Sequence, residues 1–253
     1  MEPIPNQNQT PASSSSRSLF EKYQVFFAIV LCGFLIGDAI VTASITRLVS
    51  DTSEKPQQTR DTVRSDLVKL VSRLDMNKKE FAACLDNGTM TQKISDASAL
   101  ADKSGVTGTP TFFVIKRTFG ANDAVTSQKQ ITILGARDLA TYENAIAAMK
   151  SPTDQPAVTG AKIELSAEDH WTGPRRAEIV IVEYSDIDCP FCKAAKPVID
   201  ELLRKHPDYA FVYRHAPITS LHPFAAYKAE ASECAAAQGG DEKFFKFLDA
   251  VVK

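Results

Sequence analysis

Residues 178–203 of this 253-residue chain, EIVIVEYSDIDCPFCKAAKPVIDELL, contain its clearest signal for a fold. Glu178 to Tyr184 form a nearly continuous apolar run, which is typical of a strand buried on both faces of a sheet. From about Pro190 to Lys205 the pattern predicts a helix. The stretch therefore predicts a buried strand that leads directly into a helix.

The motif Cys189-Pro190-Phe191-Cys192 lies at the junction between this strand and this helix. A helix N-terminus carries unpaired N–H groups and a partial positive charge, which favour a thiolate over a thiol. We therefore predict that Cys189 is the solvent-accessible nucleophile of thiol–disulfide exchange. Cys192 lies one turn later and should resolve the mixed disulfide.

Nearby charges should tune this nucleophile: Asp188 weakly opposes the thiolate, whereas Lys193 and Lys196 favour it. The alternative interpretation of the motif is half of a zinc site. Four-coordinate zinc usually needs a second close pair of ligands, and the other three of the five cysteines are scattered. Redox chemistry is therefore the favoured interpretation over zinc.

Composition narrows the class of protein further. The chain is 44% hydrophobic and 24% charged, which indicates a folded protein rather than a disordered one. Its 29 Lys and Arg against 31 Asp and Glu leave a formal charge of -2, so no global field holds a polyanion and no nucleic-acid partner is expected. The four histidines have no metal-ligand spacing, so we expect surface or capping roles for them and no metal site; they are His170, His206, His215 and His222.

The N-terminal region differs from the rest in composition. Residues 1–22 are mostly polar and predict a disordered tail. Residues 23–46 hold 24 residues with a single charge, enough to cross a bilayer as a helix. An uncleaved membrane anchor is one interpretation and a cleaved signal segment is the other. Residues 47–60 are predicted to be a linker. Both interpretations of residues 23–46 place the following domain, 61–253, on the extracytoplasmic side.

The sequence of that domain predicts helices and strands in two halves. A linker at 151–162 that contains Pro and Gly joins the two halves. The first half, 61–150, should hold three short helices (within 65–74, 78–85 and 93–104), two strands (111–116 and 130–136) and a helix at 139–150 capped by Asp138. The second half, 163–253, should hold the strand and helix quoted above, another strand within 209–218, helices near 223–237 and 242–252, and a short first strand at 162–165.

These residues resemble the DsbA-like branch of the thioredoxin superfamily, exported thiol:disulfide oxidoreductases with a helical insertion in an α/β thioredoxin fold. The resemblance rests on residues 179–203 together with CLDNG (84–88), GVTGTPTFFVI (105–115) and ILGA (133–136). It implies that Thr109-Pro110 is the cis-proline loop that packs over the CxxC motif and receives the substrate chain. Thr109, Pro190 and Phe191 are then the residues expected to contact the substrate.

The resemblance also implies that Glu183 is the buried acid that helps to move protons during exchange. A charge in so apolar a strand needs a reason, although an edge or surface carboxylate is the alternative. It further places two Ala-rich helices side by side in the insertion, and so predicts a structural disulfide between Cys84 and Cys234. Two buried free thiols are the alternative to that bridge.

The order of the halves departs from the family pattern, because the cis-proline half precedes the CxxC half here. The two halves contain each element of one domain once, which predicts a circular permutation cut within the helical insertion. A dimer that exchanges halves and a fragment of a tandem array are the other interpretations.

Together these features predict a membrane-tethered enzyme that introduces disulfides into reduced exported proteins. The resemblance implies a quinone-linked membrane oxidase as its re-oxidising partner, and we expect no cofactor. A reductase or isomerase is one alternative, because the direction of thiol–disulfide exchange depends on how far the reduced form is stabilised. A non-catalytic binding module with the same fold is the other alternative.

Overall fold

A computed structural model of the chain describes residues 59–122, 124–151 and 161–252. The predicted tail, membrane segment and most of both linkers lie outside these residues. Within the described ranges, no helix combines the length and the apolar character needed to cross a membrane.

The first half of the described chain holds four helices and a hairpin. They are α1 (Arg60–Val71), α2 (Lys78–Asp86), α3 (Thr91–Lys103), β1 (Thr111–Phe119), β2 (Val125–Leu134) and α4 (Leu139–Lys150). The predicted cap of α4 is confirmed, because the Asp138 carboxylate accepts the Thr141 N–H at 3.0 Å. The predicted bounds of α4 are also those observed.

The second half begins with an edge strand and ends with two helices. Its elements are β3 (His170–Thr172), β4 (Ile179–Ser185), α5 (Pro190–Lys205), β5 (Ala210–His215), α6 (Ala225–Ala236) and α7 (Gly240–Val251). The strands of both halves form one sheet in the order β2-β1-β4-β5-β3, in which β4 and β5 run parallel and the other neighbours antiparallel. The buried strand predicted at 178–184 is the central strand of that sheet.

The predicted strand at 162–165 is wrong, and β3 forms the sheet edge instead. The backbone of this segment is satisfied by side chains of β2 rather than by another strand. Gln130 accepts the Ile163 N–H at 3.0 Å, and Gln128 donates to the Ile163 carbonyl at 2.7 Å. Since these groups already have partners, the segment lies beside the sheet without joining its ladder.

The two faces of the sheet have separate apolar cores. Alternate residues of β4 face opposite ways, so that Ile179 and Ile181 pack toward α4, α5 and α7, while Val180 and Val182 pack toward α3 and Trp171. A third core joins helices from the two ends of the sequence, α1 and α2 with α6 and α7. The helical layer is therefore built from both halves, which is the arrangement a permuted monomer requires; the permutation itself stays a prediction.

A buried charged cluster fastens this helical layer to the sheet. Glu233 of α6 contacts His170 Nε2 at 3.0 Å, His215 Nε2 at 3.3 Å and Lys93 Nζ at 2.6 Å. Although burial opposes ionisation, the hydrogen bonds from His170 and His215 hold the pKa of Glu233 well below its ordinary value. The predicted surface or capping roles are therefore wrong for His170 and His215, because both are buried partners of one carboxylate.

The predicted bridge between Cys84 and Cys234 is confirmed. It joins α2 to α6 across 150 residues, with the two Cα atoms 5.8 Å apart. The bridge lies within the third core, so it ties the first half of the chain to the last.

Candidate active site

The CxxC motif occupies the position predicted for it, between β4 and α5. Cys189 is the extended N-cap residue of α5, and Pro190 is at the start of the first turn. The Cys189 N–H donates to the Asp186 carbonyl at 3.1 Å, and the Asp186 N–H donates to the Cys192 sulfur at 3.4 Å. Both cysteines are free thiols, so the structure shows the reduced site.

The prediction that Cys189 is accessible to solvent is wrong, because both thiols are buried. Cys189 is 4% exposed and Cys192 is 6% exposed. The Cys189 thiol donates to the Thr109 carbonyl at 3.4 Å, so the cis-proline loop lies against it. The sequence could not show this contact, since it joins residues 80 positions apart.

The cis-proline loop packs over the motif as the resemblance implied. The Thr109-Pro110 imide is cis, and Pro110 is buried. The Pro110 carbonyl accepts the Gly135 N–H at 2.9 Å, which fixes the end of β2 against the same loop. Phe191 follows Pro190 in the first turn of α5 and is 65% exposed. Of the residues predicted to contact the substrate, Thr109 is hydrogen-bonded to Cys189, and Pro190 and Phe191 directly follow Cys189 in the chain.

Glu183 is buried in the central strand, so the interpretation as an edge or surface carboxylate is wrong. It lies opposite Phe112 of β1 and Tyr213 of β5. Burial raises the pKa of Glu183 to about 7, against the lowering effects of the Ser185 hydroxyl and Lys196. Glu183 is therefore poised to gain or lose a proton near neutral pH.

Cys192 shares this apolar environment. Burial, followed by the charge of Glu183, raises the pKa of the Cys192 thiol well above its ordinary value. The same two effects raise the pKa of Tyr213. Glu183, Cys192 and Tyr213 line one cavity of about 410 Å³, whose apolar wall comes mainly from α5 and α7. A proton can thus be held beside the resolving thiol, in a region that favours neutral groups.

Two of the three charges predicted to act on Cys189, those of Asp188 and Lys196, are paired with other groups. Asp188 accepts from Lys228 of α6 at 2.5 Å, and both side chains are mostly buried. Lys196 contacts Asp200 at 2.7 Å and Asp249 at 2.9 Å. Asp188 therefore does not act as an unopposed negative charge beside the thiolate, and Lys196 does not act as an unopposed positive one.

Sequence reasoning missed Asp186 and gave His222 only a surface or capping role. The Asp186 carboxylate accepts from the Asp188 N–H at 2.8 Å, from the Ile218 N–H at 2.7 Å and from His222 Nδ1 at 2.9 Å. A hydrogen bond from the N–H two residues later, here that of Asp188, to the side chain is a local pattern typical of Asp. This pattern is the one feature of the sequence that could have indicated a structured turn at Asp186. The contacts with Ile218 and His222 had no local signal.

The fold and the paired cysteines define a thioredoxin-fold protein with a CxxC site at a helix N-terminus. Residues 53–147 and 180–237 match the model of the DSBA-like thioredoxin domain, and the chain belongs to that family. A solved structure, DsbA2 of Pseudomonas aeruginosa, is 36% identical over 34% of this chain and 48% of its own, with a TM-score of 0.32.

Curated relatives match only parts of longer proteins. The Na(+)/H(+) antiporter NhaA 3 of Salinispora tropica is 48% identical over 71 residues, which cover 28% of this chain and 11% of that protein. NhaA 1 of Mycolicibacterium vanbaalenii is 35% identical over 158 residues, or 60% of this chain and 25% of that protein. The chain thus spans a quarter or less of the length of these two relatives.

Proposed function

We propose that this protein is an exported, membrane-tethered thiol:disulfide oxidoreductase that donates a Cys189–Cys192 disulfide to reduced substrate proteins. The observation that carries the proposal is the Cys189 thiol at the N-terminus of α5, bonded to the carbonyl that precedes the cis-proline. A substrate strand that takes up the backbone groups of this loop would bring its own thiol next to the Cys189 sulfur.

The thiol–disulfide exchange takes place in two steps. A substrate thiolate attacks Cys189 and forms a mixed disulfide, while the Cys189–Cys192 bond breaks and its electron pair leaves on Cys192. Because burial disfavours a thiolate at Cys192, its departure is assisted by a proton, and Glu183 is the neighbouring acid that can supply one. A second substrate thiolate then attacks the substrate sulfur and releases Cys189 with the other electron pair, so the substrate is oxidised and the CxxC pair is reduced.

A hydrogen bond to the Cys192 sulfur and the helix position of Cys189 support the oxidising direction. The Asp186 N–H donates to the Cys192 sulfur, and Cys189 lies at the positive end of α5. Contacts that stabilise the dithiol make the corresponding disulfide a stronger oxidant. Re-oxidation by a quinone-linked membrane oxidase is part of the proposal.

Exposed apolar side chains support an unfolded protein as the substrate. Among the described residues, five large apolar side chains are exposed, and three of them either belong to the CxxC motif or directly precede a residue that is hydrogen-bonded to Pro110 or Asp186. Phe191 belongs to the CxxC motif, Leu134 precedes the glycine bonded to Pro110, and Leu221 precedes His222. Exposed apolar groups of this kind provide contact with the apolar segments of an unfolded chain.

Two features support an extracytoplasmic location. The Cys84–Cys234 disulfide is of the kind that persists in oxidising compartments. The apolar segment 23–46 supplies the proposed tether. Ion transport is not proposed, because the matched regions are a quarter or less of the two antiporters named above.

The test is disulfide formation in a reduced, unfolded protein such as ribonuclease A by the oxidised full-length protein. We expect stoichiometric oxidation by the wild type and none by a Cys189→Ser variant, which keeps the fold but lacks the nucleophile. Reduction of insulin disulfides by the dithiol form, without oxidation of ribonuclease A, would indicate a reductase. Binding of unfolded ribonuclease A without either reaction would indicate a non-catalytic module.

A further inference from the structure

Asp186 is the centre of the hydrogen-bond network around both cysteines, although it is not part of the CxxC motif. Its backbone carbonyl accepts the Cys189 N–H at 3.1 Å, and its backbone N–H donates to the Cys192 sulfur at 3.4 Å. Its side chain is fully buried. The position of this one residue therefore sets where a donor points at the Cys192 sulfur.

The Asp186 carboxylate is held from the loop that joins β5 to α6. The Ile218 N–H and His222 Nδ1 both donate to the same carboxylate oxygen, at 2.7 and 2.9 Å. The loop also follows the sheet closely, because the Ala216 N–H donates to the Ser185 carbonyl at 2.8 Å. A buried carboxylate with several donors is rigidly placed, since losing a donor leaves part of its desolvation cost uncompensated.

We propose that Asp186 and His222 are positioning residues that stabilise the dithiol form of the CxxC pair by holding the Asp186 N–H against the Cys192 sulfur. The inference rests on the proposed redox function and deepens it. Both cysteines are free thiols in the structure, so disulfide closure has to bring their two sulfurs closer together and changes the geometry in which the Asp186 N–H meets the Cys192 sulfur. The hydrogen bond between His222 and the Asp186 carboxylate, which we call the latch, thus favours the reduced state and makes the disulfide more oxidising.

The test compares three variants of the full-length protein in glutathione redox buffers. His222→Ala removes the donor, so the equilibrium constant for reduction of the Cys189–Cys192 disulfide by glutathione should fall about threefold to tenfold, as expected for loss of one hydrogen bond. This change corresponds to a potential lower by about 14 to 30 mV. His222→Asn places an amide N–H near the Nδ1 position and should restore the constant to within about twofold of the wild type. His206→Ala makes the same deletion at a histidine stacked on Tyr209, and should leave the constant unchanged.

Unfolding of both redox forms separates positioning from simple structural support. His222→Ala should destabilise the reduced protein more than the oxidised protein. Equal destabilisation of the two forms, with an unchanged equilibrium constant, would overturn the inference, as would equal constants for the Ala and Asn variants. The constant does not depend on which protein is the substrate. A wild type that fails to oxidise ribonuclease A would therefore reject the proposed oxidase while leaving the latch measurable.

Discussion

Replacement of Glu183 by glutamine should stabilise the protein at neutral and alkaline pH but not in acid. The carboxyl group is buried in the central strand, and burial raises its pKa from an ordinary 4.5 to about 7. In the unfolded chain it ionises near its ordinary pKa, whereas in the folded protein it keeps its proton until about pH 7. Between these values the unfolded state holds fewer protons, so the free energy of unfolding falls as pH rises.

The magnitude follows from the two pKa values. At about 1.4 kcal/mol per pH unit, ionisation of Glu183 removes about 3 kcal/mol of stability by pH 8. The contribution is fully present below about pH 4.5 and is lost as the pH rises through about 7. Glutamine cannot ionise, so the Glu183→Gln variant should gain about 3 kcal/mol over the wild type at pH 8 and little at pH 4.5.

The assay is urea unfolding of the oxidised full-length protein in detergent at several values between pH 4.5 and pH 8. Use of the oxidised form removes the titration of both CxxC thiols. Subtracting the wild-type curve from that of the variant cancels the other ionisable groups, and Glu168→Gln supplies the same chemical change at an exposed position. A difference between Glu183→Gln and wild type that stays constant from pH 4.5 to pH 8 would refute the assigned burial effect.

Three further predictions use other parts of the chain. Cys192→Ala should trap mixed disulfides between Cys189 and substrate proteins, visible on non-reducing gels, whereas Cys189→Ala should trap none; trapping by the second variant alone would reverse the order of attack. Replacing both Cys84 and Cys234 by alanine should cost up to about 4 to 5 kcal/mol of stability in urea unfolding, because the bridge closes a loop across 150 residues; an unchanged midpoint would contradict this. Glu233→Gln should destabilise the protein at neutral pH and lose its effect as the pH falls well below about 4.5, because the folded pKa of this carboxyl is lowered; equal destabilisation over the whole acid range would exclude it.

Local patterns in the sequence predicted the elements that carry the chemistry. The apolar run before Cys189 predicts a buried strand, and α4 and α5 have the predicted bounds, because helical periodicity and caps act within a few residues. The Thr109-Pro110 loop, the buried Glu183 and the Cys84–Cys234 pair came instead from the resemblance to a family, since nothing in their spacing joins them.

Contacts between elements that are far apart in the sequence are visible only in the tertiary structure. His222 contacts Asp186, which is 36 residues away in the sequence, and Glu233 is hydrogen-bonded to His170, which is 63 residues away. The segment at 162–165 fails to become a strand because Gln128 and Gln130 reach its backbone from β2. Hydrogen bonds and ion pairs act over about 3 Å, so they depend on neighbours in space, and periodicity along the chain does not encode those neighbours.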